Sequence, residues 1–250
     1  GRDPEGRAQM DSLLETLDII KSEGGSATAF CADLESDDDR HCLLAYAQAR
    51  PGGVDILVNN AGVTTFQSAD CLDAHLFQRT VDHYFRIPFL LSQALIPHFR
   101  AKGAGWIVNV GSVASLRPLV GHNQVDGDVI YASCKAALAR MTKGLAHELS
   151  KDNIAVNLVA PSTAIRTPGS GDLIPEDFPT EDPAYLAETA LQLTHLPAAR
   201  RSGAIAFSLH FPVQQKFEVY SLDGKTVLPP PIAPAWAHPD IEVLAQVGAI

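Results

Sequence analysis

The chain has 250 residues, 46% of them hydrophobic, enough to bury the core of one compact domain. Its 29 acidic and 19 basic side chains give a formal charge of −10, and the sequence pI is near 5.3. That balance excludes non-specific binding to nucleic acid or anionic membranes, and no apolar run approaches the ~18 residues of a membrane-spanning helix.

In chain order, Leu13, Leu14, Leu17 and Ile20 form a helical stripe closed by Gly24-Gly25, a C-cap signal. The β-branched and small run at residues 27–32 predicts a strand. Residues 54–58 predict a second one, running directly into Asn59-Asn60-Ala61-Gly62. Residues 71–102 carry a long helical pattern that Pro88 and Pro97 must kink or divide. Residues 106–111 then read as a buried strand that delivers Ser112 at its C-terminal end, where open parallel sheets place their ligands. After a turn-rich loop at residues 116–130, a helix over 130–150 carries Tyr131 and Lys135.

Residues 183–195 predict a short helix. Residues 162–182, rich in Pro, Gly and acidic side chains, predict a flap over a substrate. The Pro-rich stretch at residues 225–250 has too little periodicity for core and reads as a C-terminal extension. The alternation predicts a single α/β domain over residues 1–250, built on a parallel sheet.

Tyr131 and Lys135 stand at i and i+4, so a helix places both on one face. A phenol holds its proton until about pH 10, and a nearby ammonium favours the phenolate, drawing that value toward the range of an acid/base catalyst. Alone, Tyr-x-x-x-Lys is as readily an amphipathic helix with a half-buried Tyr and a solvated Lys. The strand delivering Ser112 and the strand entering Asn59-Asn60-Ala61-Gly62 supply the context that separates the two. Cys31, Cys42, Cys71 and Cys134 form no Cys-x-x-Cys pair, which suits reduced thiols and a cytoplasmic location, and the nine histidines show no metal-ligand spacing.

These motifs, in this order, resemble the classical short-chain dehydrogenase/reductase family, and the resemblance runs from Arg2 to about Gly224. It implies a Rossmann-like, doubly wound α/β fold and an NAD(P)-dependent oxidoreductase interconverting a secondary alcohol and a ketone. In that reading Tyr131 carries the proton, Lys135 lowers its pKa and binds the nicotinamide ribose, and Ser112 orients the substrate oxygen. Asp33 and Leu34, Asn60, Ala61 and Gly62, and Pro161 and Ser162 would line the cofactor together with Tyr131 and Lys135. Asp33 is also a candidate helix N-cap. Arg2, after the family's second strand, would pair with a 2′-phosphate and favours NADP over NAD, although the adjacent Asp3 opposes it. Homodimers or homotetramers packed through residues 71–102 and 130–150 are also implied, with Phe77, Val81, Phe85, Leu138, Met141 and Leu145 as candidate faces.

Four departures from the family accompany the resemblance. Ser162 stands where a glycine is usual, Tyr84 where a catalytic asparagine is usual, and the 116–130 loop is lengthened. The fourth is the lack of any Thr-Gly-x-x-x-Gly-x-Gly turn. The fold is therefore expected to be N-terminally incomplete, without the family's first strand, glycine turn and first helix. The strand at 27–32 would then lack the partner joining it to 54–58, and two arrangements meet that. Either further residues precede Gly1, which is the expectation, or the two strands pair directly. The alternative function is a catalytically inactive paralogue, or a truncated gene product, with a structural role.

Overall fold

The computed structural model describes residues 10–62, 66–119, 126–167, 174 and 176–242, with only the backbone of residues 10–12. The chain divides into two compact units, Gly1–Val54 and Asp55–Ile250.

The first unit holds α1 (Met10–Ser22) and α2 (Asp37–Gln48). α1 ends as its sequence predicts: Gly24 takes φ +81°, and the Gly25 N–H donates to Ile20 O at 2.9 Å. Ser36 caps α2, its hydroxyl accepting from Asp39 N, and Asp37, Asp38 and Asp39 put negative charge on the positive end of the helix dipole. Residues 27–32 form no strand; Phe30 packs on Tyr46 at 4.9 Å between ring centroids. An extended segment becomes a strand only where a neighbour takes up its N–H and C=O groups, and no ladder reaches these residues.

The second unit is built on a parallel four-stranded sheet in the order β1 (Ile56–Asn59), β2 (Gly105–Val110), β3 (Ile154–Ala160), β4 (Ile205–Phe207). Every residue of β3 is buried, as expected of a strand covered on both faces. The two-residue period of the strand sends Val159 into a cluster with Val108, Leu193, Ala206 and Phe211. It sends Leu158 and Ala160 into another with Leu138, Phe207 and Ile241. Helix α5 (Val129–Glu148) thus packs on one face, and α6 (Pro183–Gln192) with α7 (Phe211–Gln215) on the other. Strand β1 is an edge whose Ile56 and Val58 are 43% and 51% exposed.

The long helical pattern is α3 (Ala74–Val81), a π turn (Asp82–Arg86) and α4 (Ile87–Lys102). Pro88 has no N–H to give the Tyr84 carbonyl, so the turn widens and the Ile87 N–H reaches back to Asp82 O. Pro97, by contrast, lies inside α4 without ending it. The C-terminal segment also departs from its sequence reading. Ile241 is 1% exposed within the α5-side core, and Arg117 holds Asp240 through two hydrogen bonds of 2.7 and 3.0 Å. A single well-placed isoleucine joins a core without any periodicity to announce it.

Candidate active site

The carboxyl ends of β1, β2 and β3 lie side by side, and the candidate residues of this unit collect along that edge. Strand β2 delivers Ser112 at its end, where the buried hydroxyl caps the short turn Val113–Ser115 by accepting from Ala114 N at 3.1 Å. A Cβ at Gly111 would stand 2.4 Å from Leu158 Cδ2, so any larger residue there would force the buried leucine to move. Tyr131 and Lys135 share one face of α5. The Ser112 hydroxyl lies close enough to the Tyr131 phenol to draw its pKa down, while Lys135, only 5% exposed, donates from Nζ to Val110 O at 2.7 Å.

The electrostatics differ from the sequence expectation. Burial pushes the Tyr131 phenol above its ordinary value, opposed by the Ser112 hydroxyl and reinforced by the negative charge of Asp128. Burial likewise pulls the Lys135 ammonium down to about 8, with Cys134 acting in the opposite sense. Removal from water outweighs the attraction between the two because the ammonium is turned toward Val110 O and stands 5.6 Å from the Tyr131 ring centroid.

Tyr84, on the π turn, meets Lys135 with its ring face, 4.4 Å from Nζ to the centroid, and stands edge-to-face with Tyr131 at 5.0 Å. The same ring lies on the backbone of Gly62, where a Cβ would come within 2.6 Å of Tyr84 Cε1. Phe66 adds a second edge-to-face contact with Tyr131 at 5.6 Å. It is held there by a hydrogen bond from Gln67 N to Gly127 O of 3.2 Å, and Gly127 takes φ +82° so close to Gln67 that a Cβ would stand 2.7 Å from its nitrogen. Nothing in the periodicity around Phe66 marks it as a wall of the site.

Asn60, Ala61 and Gly62 follow β1 as exposed backbone, whereas Asn59 is buried. Asn59 Nδ2 donates to Asn109 Oδ1 at 2.9 Å, and Asn109 Nδ2 donates to Thr142 Oγ1 at 2.9 Å. Thr142 in turn donates to Leu138 O, a polar chain from β1 through β2 to α5. The Asn59 Oδ1 atom is buried with no partner among the described residues. A polar residue at the end of an apolar strand was the signal for this chain, and the sequence reading passed over it.

Ser162 turns inward rather than toward the site edge. Its hydroxyl accepts from Leu209 N at 3.0 Å and pairs with His210 Nδ1 at 3.0 Å, while its N–H donates to Ser208 Oγ at 2.9 Å. Burial holds His210 below its ordinary pKa, against the pull of Glu242. Beside it the buried Glu181 accepts from Thr163 N, Thr163 Oγ1 and Ser208 Oγ, and burial raises its pKa despite those bonds.

Asp33 and Leu34 belong to the first unit. Asp33 is not the helix cap: its Oδ1 accepts from Glu35 N at 3.0 Å and its N–H donates to Asp39 Oδ2 at 2.7 Å, while Ser36 caps α2. Arg2 lies outside the described residues. Among the described residues, no group of His, Cys, Asp and Glu has the arrangement of a metal site, and no helix is long and apolar enough to cross a membrane.

Comparison with known proteins agrees with this fold. Residues 7–176 match the family model described as short chain dehydrogenase. Human dehydrogenase/reductase SDR family member 4 is 35% identical over 148 residues, covering 59% of this chain and 51% of that protein. The 7alpha-hydroxysteroid dehydrogenase of Escherichia coli is 31% identical over 166 residues, covering 66% of this chain and 62% of that protein. The chain thus aligns with little more than half the length of these curated relatives. Among solved structures, a 7 alpha-hydroxysteroid dehydrogenase complexed with NADH and 7-oxo glycochenodeoxycholic acid superposes with TM-score 0.72 at 29% identity, covering 80% of each chain. A gluconate 5-dehydrogenase from Burkholderia cenocepacia, at TM-score 0.69 and 23% identity and covering 83% of this chain and 81% of that one, shares the fold. The match to more than half of the chain, together with the parallel sheet that brings Ser112, Tyr131 and Lys135 to one edge, makes this chain a member of the short chain dehydrogenase family.

Proposed function

We propose that the chain is an NAD(P)-dependent oxidoreductase that interconverts a ketone and a secondary alcohol. The convergence of Ser112 at the end of β2 with Tyr131 and Lys135 on one face of α5, the lysine anchored on Val110 O, carries the reading. Burial favours the neutral phenol, so Tyr131 is set to give its proton to a carbonyl oxygen, and the reverse transfer serves alcohol oxidation. Ser112 donates to the same oxygen and fixes its direction. Lys135 keeps a positive field behind the phenol as negative charge develops on it, and its value near 8 keeps it charged at neutral pH.

The convergent hydroxyls and ammonium suit a nicotinamide riboside, and the buried acceptor of Asn59 beside the Asn60–Gly62 turn offers a further polar partner. Asn60, Ala61, Gly62, Pro161 and Ser162 would line that cofactor. Because the Ser162 hydroxyl is engaged by Leu209 and His210 and its N–H by Ser208, only its carbonyl could serve a ligand. When bound, the nicotinamide supplies or accepts the hydride.

Phe66, Tyr84 and Tyr131 form an aromatic wall that suits cyclic or medium-chain ketones. The exposed Phe77, Phe85 and Phe89 make the helical stripe of α3 and α4 the homodimer face, since Leu138 and Leu145 are committed to the core. Free Cys31, Cys42 and Cys71 on the surface suit a reducing cytoplasm.

The test is oxidation of NADPH or NADH at millimolar concentration, followed at 340 nm with a panel of cyclic and medium-chain ketones. Turnover that favours NADPH and disappears in Tyr131→Phe is expected. Turnover that survives Tyr131→Phe, or none with any ketone, overturns the reading.

A further inference from the structure

We propose that Tyr84 is the positioning residue for Lys135, its ring face and the Val110 carbonyl gripping the ammonium between them. The chemical role of Lys135 rests on the function proposed above, but the grip itself is a property of the folded chain. It begins in the sequence. Pro88 has no N–H to continue the α-helical ladder, and the π turn Asp82–Arg86 before it inserts an extra residue into the α3–α4 rod. Tyr84 is buried at 8% exposure on the inner side of that turn, while the next residue, Phe85, is 37% exposed on the outer side.

Tyr84 therefore touches three parts of the candidate site at once. Its ring rests on Gly62, where a Cβ would stand 2.6 Å from it; it meets the Tyr131 ring edge-on at 5.0 Å; and it lies 4.4 Å from Lys135 Nζ. A buried ammonium has three N–H donors to satisfy, and one goes to Val110 O at 2.7 Å. The groups facing it are Val110 O from β2, Tyr84 from the π turn, and Tyr131 and Cys134 from its own helix. Of the two rings, Tyr84 is the nearer, and an aromatic face carries the negative quadrupole that holds a desolvated cation. A tyrosine acting here only to fill space would give different consequences on removal. Water entering the gap left by a smaller side chain would make the lysine easier to protonate, whereas loss of the cation–π contact makes it harder.

The experiment is a pH titration of the full chain labelled with [ε-13C]lysine, followed by NMR. The Lys135 signal is assigned by its loss in Lys135→Met. The native midpoint is expected near 8. Tyr84→Phe keeps the ring and should leave the midpoint in place. Tyr84→Leu should lower it by about one pH unit, a tenfold change in the protonation equilibrium. Tyr84→Met, longer and more adaptable in shape, should give the same direction and stands in if the Leu variant does not fold.

A midpoint that rises or stays fixed in the Leu and Met variants overturns the proposal, as does an equal fall in the Phe variant. The titration needs no substrate. If the native chain turns over no ketone while the titration follows this pattern, the functional reading fails and the grip stands.

Discussion

Lys135 makes the stability of this protein depend on pH in an unusual direction. Its ammonium is pulled to about 8 in the folded chain from an ordinary 10.5, so between those values the unfolded chain binds more protons than the folded one. Stability therefore rises as pH climbs through 8, because the folded state sheds a charge that it holds at a cost. The two values imply about 2 kcal/mol of added stability at about pH 9.5 relative to pH 7. Cys134 and Tyr131, both pushed upward by burial, act in the opposite sense once pH passes their ordinary values of 9.0 and 10.0. Lys135→Met keeps the stem and removes the titration, so comparison with the native chain isolates the lysine.

The assay is guanidinium unfolding of both proteins at the two pH values, followed by the fluorescence of Trp106 in β2. The native chain should gain about 2 kcal/mol more than the variant over that interval. Equal changes in both proteins would refute the claim that Lys135 is buried as a strained charge.

Ser112→Ala removes the donor beside Tyr131, and kcat should fall about 10²–10³-fold with little change in substrate KM, measured by steady-state kinetics. Gly127→Ala places a Cβ 2.7 Å from the Gln67 nitrogen in a left-handed conformation. It should cost about 1–3 kcal/mol in denaturant unfolding, and a raised ketone KM should accompany it as Phe66 leaves Tyr131. Phe85→Glu sets a charge in the exposed stripe of α3 and α4, and sedimentation equilibrium should show the native dimer dissociated; a native monomer at micromolar concentration would contradict the assembly.

Much of the candidate site's arrangement was legible because its elements are local. An apolar run ending in Ser112 and an i, i+4 pair on a helix both follow from short-range periodicity, and the structure brings these three residues to one edge of the sheet. The π turn follows from Pro88 in hindsight, yet a proline alone announces a break and not which way the turn will rotate Tyr84. Residues 27–32 have strand composition but form no strand, since pairing depends on a neighbour that composition does not reveal. Phe66 and Ile241 were out of reach for a similar reason. Each is placed by a distant contact, Gly127 for the one and the Arg117–Asp240 pair for the other. The direction of the Tyr131 pKa was misread because sequence spacing gives the proximity of the lysine but not the burial of both groups.

The most direct test of the proposed chemistry follows the hydride itself. Ketone is incubated with the chain and NADPH carrying deuterium at the transferable C4 position, and the product alcohol is weighed by mass spectrometry. The account predicts one deuterium on the carbinol carbon with the native chain and no product with Tyr131→Phe. Unlabelled alcohol from the native chain, or labelled alcohol formed equally well without the Tyr131 hydroxyl, would contradict it.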